Sequence, residues 1–212
     1  MFSLGIRYLN GWAMAAADGA KKETAEWPPH PDRVFMALAA AWFETGKEKS
    51  EGLALRWLEE QQPPSLYASE AFFRQMSTGV PIPAESYVPV NDSKVGNKIP
   101  ETNSLKKLKT AGLTVLPEYR SRQPRRFPVA IPFEKDLFFI WRELDPSSYE
   151  AAFSNLCHKV VRIGHSASLV QMWVENNPPR PNLVPTDGVA RHRLRIFGPG
   201  RLEYLEKRCN LD

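Results

Sequence analysis

Residues 137–144 read Leu-Phe-Phe-Ile-Trp-Arg-Glu-Leu, a dense apolar run of strand length and rich in aromatics. Such a run suits a buried central strand. The next stretch has a helical pattern. Ser147-x-x-Glu150 carries capping-box spacing, Phe153, Leu156, Cys157 and Val160 share one face, and Gly164 is a fitting stop. Ser166, Ser168, Val170, Met172 and Val174 then alternate with Ala167, Leu169, Gln171, Trp173 and Glu175, which predicts another strand.

Upstream, Phe2, Leu4, Ile6 and Tyr8 alternate with Ser3, Gly5, Arg7 and Leu9, an opening strand that Asn10-Gly11 breaks. Residues 12–26 are small and polar and read as a loop. Trp27-Pro28-Pro29-His30-Pro31-Asp32-Arg33 is a rigid entry to a helix over about 31–45, with Val34, Leu38, Ala41 and Trp42 on one face. A second helix spans about 50–62, where Leu53/Trp57 and Ala54/Leu58 are i,i+4 pairs and Pro63-Pro64 is the stop. Ser65 to Phe73 suits a short strand, and Arg191 to Phe197 a final one before an amphipathic stretch over 201–208. Strand, helix, helix, insertion, strand, helix, strand predicts an α+β domain. The layout expected is ferredoxin-like, one antiparallel sheet with helices on one face.

At 212 residues the chain is of single-domain size. Hydrophobic residues make up 42% and charged residues 25%, ordinary globular values that argue against a fully disordered chain. No apolar run reaches the ~18–20 residues of a membrane span, and no secretory signal is visible. The two cysteines, Cys157 and Cys209, make neither a disulfide framework nor a zinc spacing, so a cytoplasmic setting is expected. The 19 prolines are well above the usual ~5% and point to much extended or turning chain.

The net charge of +4 hides an asymmetry. From Lys94 to Lys135 ten basic residues face three acidic ones, a local +7 on a body that nets about −3. The stretch lies inside a proline-bounded excursion over about 75–132, within which Leu105 to Leu116 could be a short helix or a hairpin arm. A localised basic arm neutralises phosphates, and Tyr87, Tyr119 and Phe127 among the charges suit stacked single-stranded bases. A solvated loop with no ligand accounts for the charge equally.

Signals for catalysis are sparse. The four histidines, His30, His158, His165 and His192, share no metal-ligand spacing, and no P-loop or dinucleotide fingerprint is present. No cofactor and no metal are therefore expected. His158 reads as an ordinary helix residue. His165, between Gly164 and Ser166, reads as a local cap or as the base of a Ser–His pair. His192, between Arg191 and Arg193, and His30, near Arg33, could each act as the general base of a metal-independent ribonuclease. Arg33 stands in a first helical turn, where a cation needs either a bound anion or a carboxylate such as Glu26 or Asp32. Gly198-Pro199-Gly200-Arg201 reads as an anion cradle or a plain turn.

Several blocks together resemble one family. They are LGIRYLNGWAMAAADGAKKETAEWPPHPDRVFMALAAAWFETG, EGLALRWLEEQQPPSLYAS, SYVPVND, SRQPRRFPVAIP, VVRIGHSASLVQMWVE and FGPGRLEYLEKR. They are similar to the Cas-five-like, N-terminal part of the Cas-five/Cas-six fusion subunit of subtype I-G (formerly I-U) CRISPR Cascade. Trp27-Pro28-Pro29-x-Pro31-x-Arg33 and Arg120-x-Arg122-Gln123-Pro124-Arg125-x-Phe127-Pro128 are the most specific parts. The resemblance implies a single ferredoxin-like (RRM-like) RNA-binding domain over 1–212, with a long basic β-hairpin thumb at about 75–132. It also implies a non-catalytic role: capping the complex, holding the 5′ handle of the CRISPR RNA, and touching the backbone and large subunits. Target DNA would be met through the complex. Arg120, Arg122, Arg125, Arg126, Lys106, Lys107 and Lys109 would meet phosphates, with Tyr119 and Phe127 stacking. Arg7, His30 and Arg33 would form part of the handle pocket. The fusion subunits are roughly twice this length, so the Cas-six-like nuclease half is expected to be absent, or to be a partner chain. Two other readings stand beside this one: a repeat-cleaving endoribonuclease, and a protein-only scaffold whose arm wraps an acidic partner.

Overall fold

The computed structural model describes residues 1–17, 24–73, 84–89, 104, 106 and 122–209, with 84–89, 122–126 and 209 described by their backbone. The chain is α+β. At its centre lies β1 (Phe2–Tyr8), whose Phe2, Leu4, Ile6 and Tyr8 are all buried while Arg7 points to solvent. Two strands flank it, β8 (Asp136–Trp141) and β9 (Val170–Val174), both antiparallel. Beyond β8 comes β3 (Ser65–Tyr67), so the sheet order is β3-β8-β1-β9. Taken in chain order, these four strands sit 2-3-1-4 across the sheet.

Three helices cover the face that carries Phe2, Leu4 and Ile6. They are α1 (Pro31–Glu44), α2 (Lys49–Glu59) and α3 (Glu150–Lys159). Phe35 and Leu38 from α1, Leu55 and Leu58 from α2, and Phe153 and Leu156 from α3 are all essentially inaccessible. Each such side chain stabilises the fold by about 1.5–3 kcal/mol through burial. Phe2 stacks on Trp141 and tilts against Phe153, tying β1 to β8 and α3. Within α2, Gly52 lets the Trp42 indole lie close: a Cβ there would stand 2.8 Å from the ring. Trp42 Nε1–H then donates to Glu48 O at 2.8 Å.

The opposite face of the sheet carries an aromatic row. Tyr67, Phe138 and Trp173 stand at one level, paired in register through Gly5. Ring centroids are 6.2 Å apart for Tyr67–Phe138 and 6.0 Å for Phe138–Trp173. Two residues along, Arg7 makes a two-pronged pair with Asp136, both contacts at 2.6 Å, and its guanidinium lies 5.9 Å from the Trp173 ring.

A second sheet joins β2 (Ala13–Met14), β7 (Val129–Pro132) and β4 (Ala71–Phe73), and a separate antiparallel pair joins β5 (Ala84–Pro89) to β6 (Arg122–Phe127). The last helix is α4 (Arg201–Cys209).

Several expectations are corrected. Residues 65–73 form two short strands. The stretch 12–26 holds β2 and an Ala16–Ala25 bridge. The end of the 75–132 excursion, Val129–Pro132, belongs to a body sheet. Ser147 does not cap α3: its N–H bonds Asp145 Oδ1, and the helix starts three residues later behind Tyr149. The strand expected over 166–175 starts only at Val170. Residues 191–197 form no strand; they run beside the start of α1, where Asp32 N–H donates to Arg195 O at 3.1 Å. Apart from Lys106, the arm 105–116 lies outside the described residues.

Candidate nucleic-acid interface

Strand β6 has the sequence Arg-Gln-Pro-Arg-Arg-Phe, with Arg122, Arg125 and Arg126 in register with Pro89, Ser86 and Glu85 of β5. Alternating hydrogen-bonded pairs hold an arginine-rich stretch in extended form, so its arginine positions are spaced along the backbone by the strand rise rather than left to a coil. Phe127, at the end of β6, is half-buried, and its ring lies 4.4 Å from His165. Lys106 is exposed. Tyr119, Arg120, Lys107 and Lys109 lie outside the described residues.

His165 belongs to a tight turn. Its Nδ1 accepts Ala167 N–H at 3.1 Å, and its own N–H donates to Met14 O. Ser168 is buried and accepts Met14 N–H at 2.8 Å. The histidine therefore acts as the local cap, and Ser168 Oγ is committed to backbone.

The start of α1 is built around a buried carboxylate. Glu26 is 2% exposed, and Oε1 accepts both the His30 backbone N–H, at 3.0 Å, and Arg33 Nε, at 2.6 Å. Oε2 accepts the second prong of Arg33 at 2.8 Å. Burial alone would push the Glu26 carboxyl up, but the Arg33 fork and the His30 N–H outweigh it and hold it below its ordinary value. Glu26 is thus the anion that the helix start and Arg33 call for. His30 is buried, and its Nδ1 accepts from Arg195 Nε at 3.0 Å. His30 Nδ1 also stands 3.4 Å from Glu26 Oε2. Arg195 also stands 3.6 Å from Glu26 Oε2.

Asp32 forms a second fork, with Arg201 Nε at 2.8 Å and Nη2 at 3.1 Å. The Gly198–Arg201 turn is not vacant either. Buried Glu59 accepts Gly200 N–H at 3.2 Å and Leu202 N–H at 2.6 Å, so the start of α4 is capped from within the chain. Arg7, on the other face of the sheet, is exposed and joined to Asp136. His158 is an exposed helix residue, and His192 is exposed in the irregular stretch before Arg195. Sequence reasoning missed Arg195, Glu59 and Asp136 as partners, since each lies far along the chain from the group it holds.

A cleft of about 270 Å³ runs between α1 and the end of α3, lined in part by Arg33, Ala37, Glu44, Lys159, Arg162 and Gly164. Its cations are held by carboxylates: Arg33 by Glu26, Lys159 by Glu51 at 2.5 Å, and Arg162 by Glu44 at 3.4 Å. Among the described residues no group of three or more His, Cys, Asp or Glu side chains could hold a metal ion. No described helix is long and apolar enough to cross a membrane.

Residues 6–208 match the CRISPR-associated protein, GSU0054 family. The chain belongs to that family. Among solved structures it is similar to a CRISPR protein from Archaeoglobus fulgidus, at 14% identity and a TM-score of 0.38. That match covers 82% of this chain and 62% of the other, so the chain spans less than two thirds of that relative's length. No curated protein matches the chain.

Proposed function

We propose that this chain is a CRISPR RNA-binding subunit of a type I Cascade, of the subtype I-G kind, which grips the 5′ handle. The observation that carries the reading is β6, a strand with three arginines in six residues, paired along its whole length with β5. It leaves the body where Phe127 packs on His165. In this reading β5 and β6 are the base of a basic thumb, and Arg120, Arg122, Arg125 and Arg126 neutralise backbone phosphates. Membership of a CRISPR-associated family supports it. So does the 2-3-1-4 order of the main sheet with helices on one face, which is what a ferredoxin-like, RRM-like domain requires. The backbone subunit, the large subunit and a Cas-six-type nuclease chain or domain are the proposed protein partners. Target DNA is reached through the assembled complex.

The test is RNA binding by an Arg122→Ala/Arg125→Ala/Arg126→Ala variant that keeps the wild-type melting temperature. Affinity for a labelled CRISPR-repeat RNA is expected to fall steeply, and the salt dependence to flatten. Unchanged affinity removes the hairpin from the mechanism. Cleavage of the repeat RNA in EDTA, lost on His192→Ala, would replace this reading with the endoribonuclease.

A further inference from the structure

The chain from Gly188 to Leu202 contains Arg191, Arg193, Arg195 and Arg201 and no acidic residue. The structure divides these four arginines into two pairs. Arg195 and Arg201 are the anchors: one reaches His30 and Glu26, the other forks onto Asp32. Arg191 and Arg193 are exposed, as is His192 between them, and none of the three has a hydrogen-bond or ion-pair partner among the described residues. The two anchoring carboxylates are themselves buried and already paired, so they do little to offset the outer charges.

We infer that Arg191-His192-Arg193 is a second phosphate-contact strip for single-stranded RNA, separate from the basic hairpin and joined to its base through the packed start of α1. The inference rests on the RNA-binding reading above and assigns it a further surface. A chain of contacts joins the two places. Phe127 meets His165; beside His165, Gly164 lies against Arg33, with 3.7 Å between its Cβ position and Arg33 Cδ; Arg33 forks onto Glu26; Glu26 and His30 meet Arg195. Arg193 and Arg191 follow two and four residues before Arg195, within roughly 14 Å of it even for fully extended chain. Like charges held close together without counter-charges raise the local potential, and a bound polyanion relieves it. The guanidinium fork matches a phosphate in two hydrogen bonds. Because Glu59 already fills the start of α4, an incoming phosphate is left to the two outer arginines.

The experiment is fluorescence anisotropy of the full chain with a fluorescein-labelled CRISPR-repeat RNA across a salt series. Arg191→Ala/Arg193→Ala is expected to bind about tenfold more weakly at low salt, with a log–log salt slope shallower by about 1.4, the value for two lost single-strand phosphate contacts. Arg142→Ala/Lys49→Ala removes the same charge from exposed positions elsewhere and is expected to leave the slope unchanged. Wild-type affinity and slope in the first variant overturn the strip, and so does an equal loss in the control. If the wild-type chain itself binds no RNA, the broader reading falls, and the strip with it. If the hairpin triple variant loses binding while Arg191→Ala/Arg193→Ala does not, the broader reading survives and the strip alone is removed. Retained RNA binding together with lost capture of an acidic Cascade subunit by the Arg191→Ala/Arg193→Ala variant assigns the strip to protein and overturns it as an RNA contact.

Discussion

The indole of Trp173 lies flat across Gly5, so close that a Cβ on Gly5 would stand 2.3 Å from Cε2 and 2.5 Å from Cζ2. The two residues face each other in register on β9 and β1. The ring is fixed from three sides: Nε1–H donates to Glu175 Oε2 at 3.0 Å, the edge of Phe138 meets it, and the Arg7 guanidinium caps it. Contact at 2.3 Å cannot be absorbed without moving the ring. Gly5→Ala is expected to destabilise the fold by about 1–3 kcal/mol, the usual cost of overpacking, even though alanine suits a strand better than glycine. In a Trp173→Ala background the same change should cost under about 0.5 kcal/mol, as at an ordinary surface position. Urea midpoints of the four proteins check this; equal costs in both backgrounds would mean that the ring is not the obstacle.

The last residue of α2, Glu59, accepts the N–H groups of Gly200 and Leu202 and so starts α4 from across the fold. Leu202 is fully buried beside it. Glu59→Ala strips two donors of their acceptor and is expected to cost about 1–2 kcal/mol. The loss should be local. Amide exchange should speed up over residues 201–209 while β1 and β8 keep their protection. Uniform acceleration across all elements would show that Glu59 supports the core and not the helix start.

What could be read from the amino acids, and what could not, follows from range. β1, α1, α3 and β8 were legible because their apolar spacing reports directly on one buried face. Arg191–Phe197 also alternates charged and apolar residues, yet it pairs with no strand. The outer edge of β3 is already bridged by Leu183, and that of β9 starts against Val161, so its backbone turns to the cap of α1 instead. β2 is two residues long, too short for any period to register. At the site, Arg33 and Glu26 are seven residues apart and could be weighed as partners. His30 and Arg195 are 165 apart, and only the folded chain brings them together.

Cys157 is expected to be chemically silent in the native protein. It is fully buried between α3 and the sheet, and burial pushes its thiol up to about 12. At pH 8 almost none of it is thiolate, and reagents have no approach. In a Cys209→Ser variant, which leaves Cys157 as the sole cysteine, a maleimide should label the urea-unfolded chain fully and the native chain hardly at all. Rapid labelling of the native variant would mean that α3 opens readily.

Glu26 sets the pH response of the helix start. Its carboxyl titrates below its ordinary value in the fold because of Arg33 and the His30 N–H. In the unfolded chain it returns to about 4.3. The unfolded state therefore takes up the proton first. The stability Glu26 contributes is complete above that value and is lost as pH falls through it toward the lower value of the folded state. Removing the carboxylate entirely, Glu26→Ala, is expected to cost about 3–5 kcal/mol at pH 7, since it strands Arg33 and the His30 N–H against a buried gap. Glu26→Gln keeps the shape and part of the hydrogen bonding but not the charge. It should be less stable than wild type at pH 7, with a flatter decline below pH 5, so that the two proteins converge in acid. Urea midpoints from pH 7 down to pH 3 measure both curves. Parallel curves would place the acid sensitivity on some other carboxylate and leave Glu26 as packing alone.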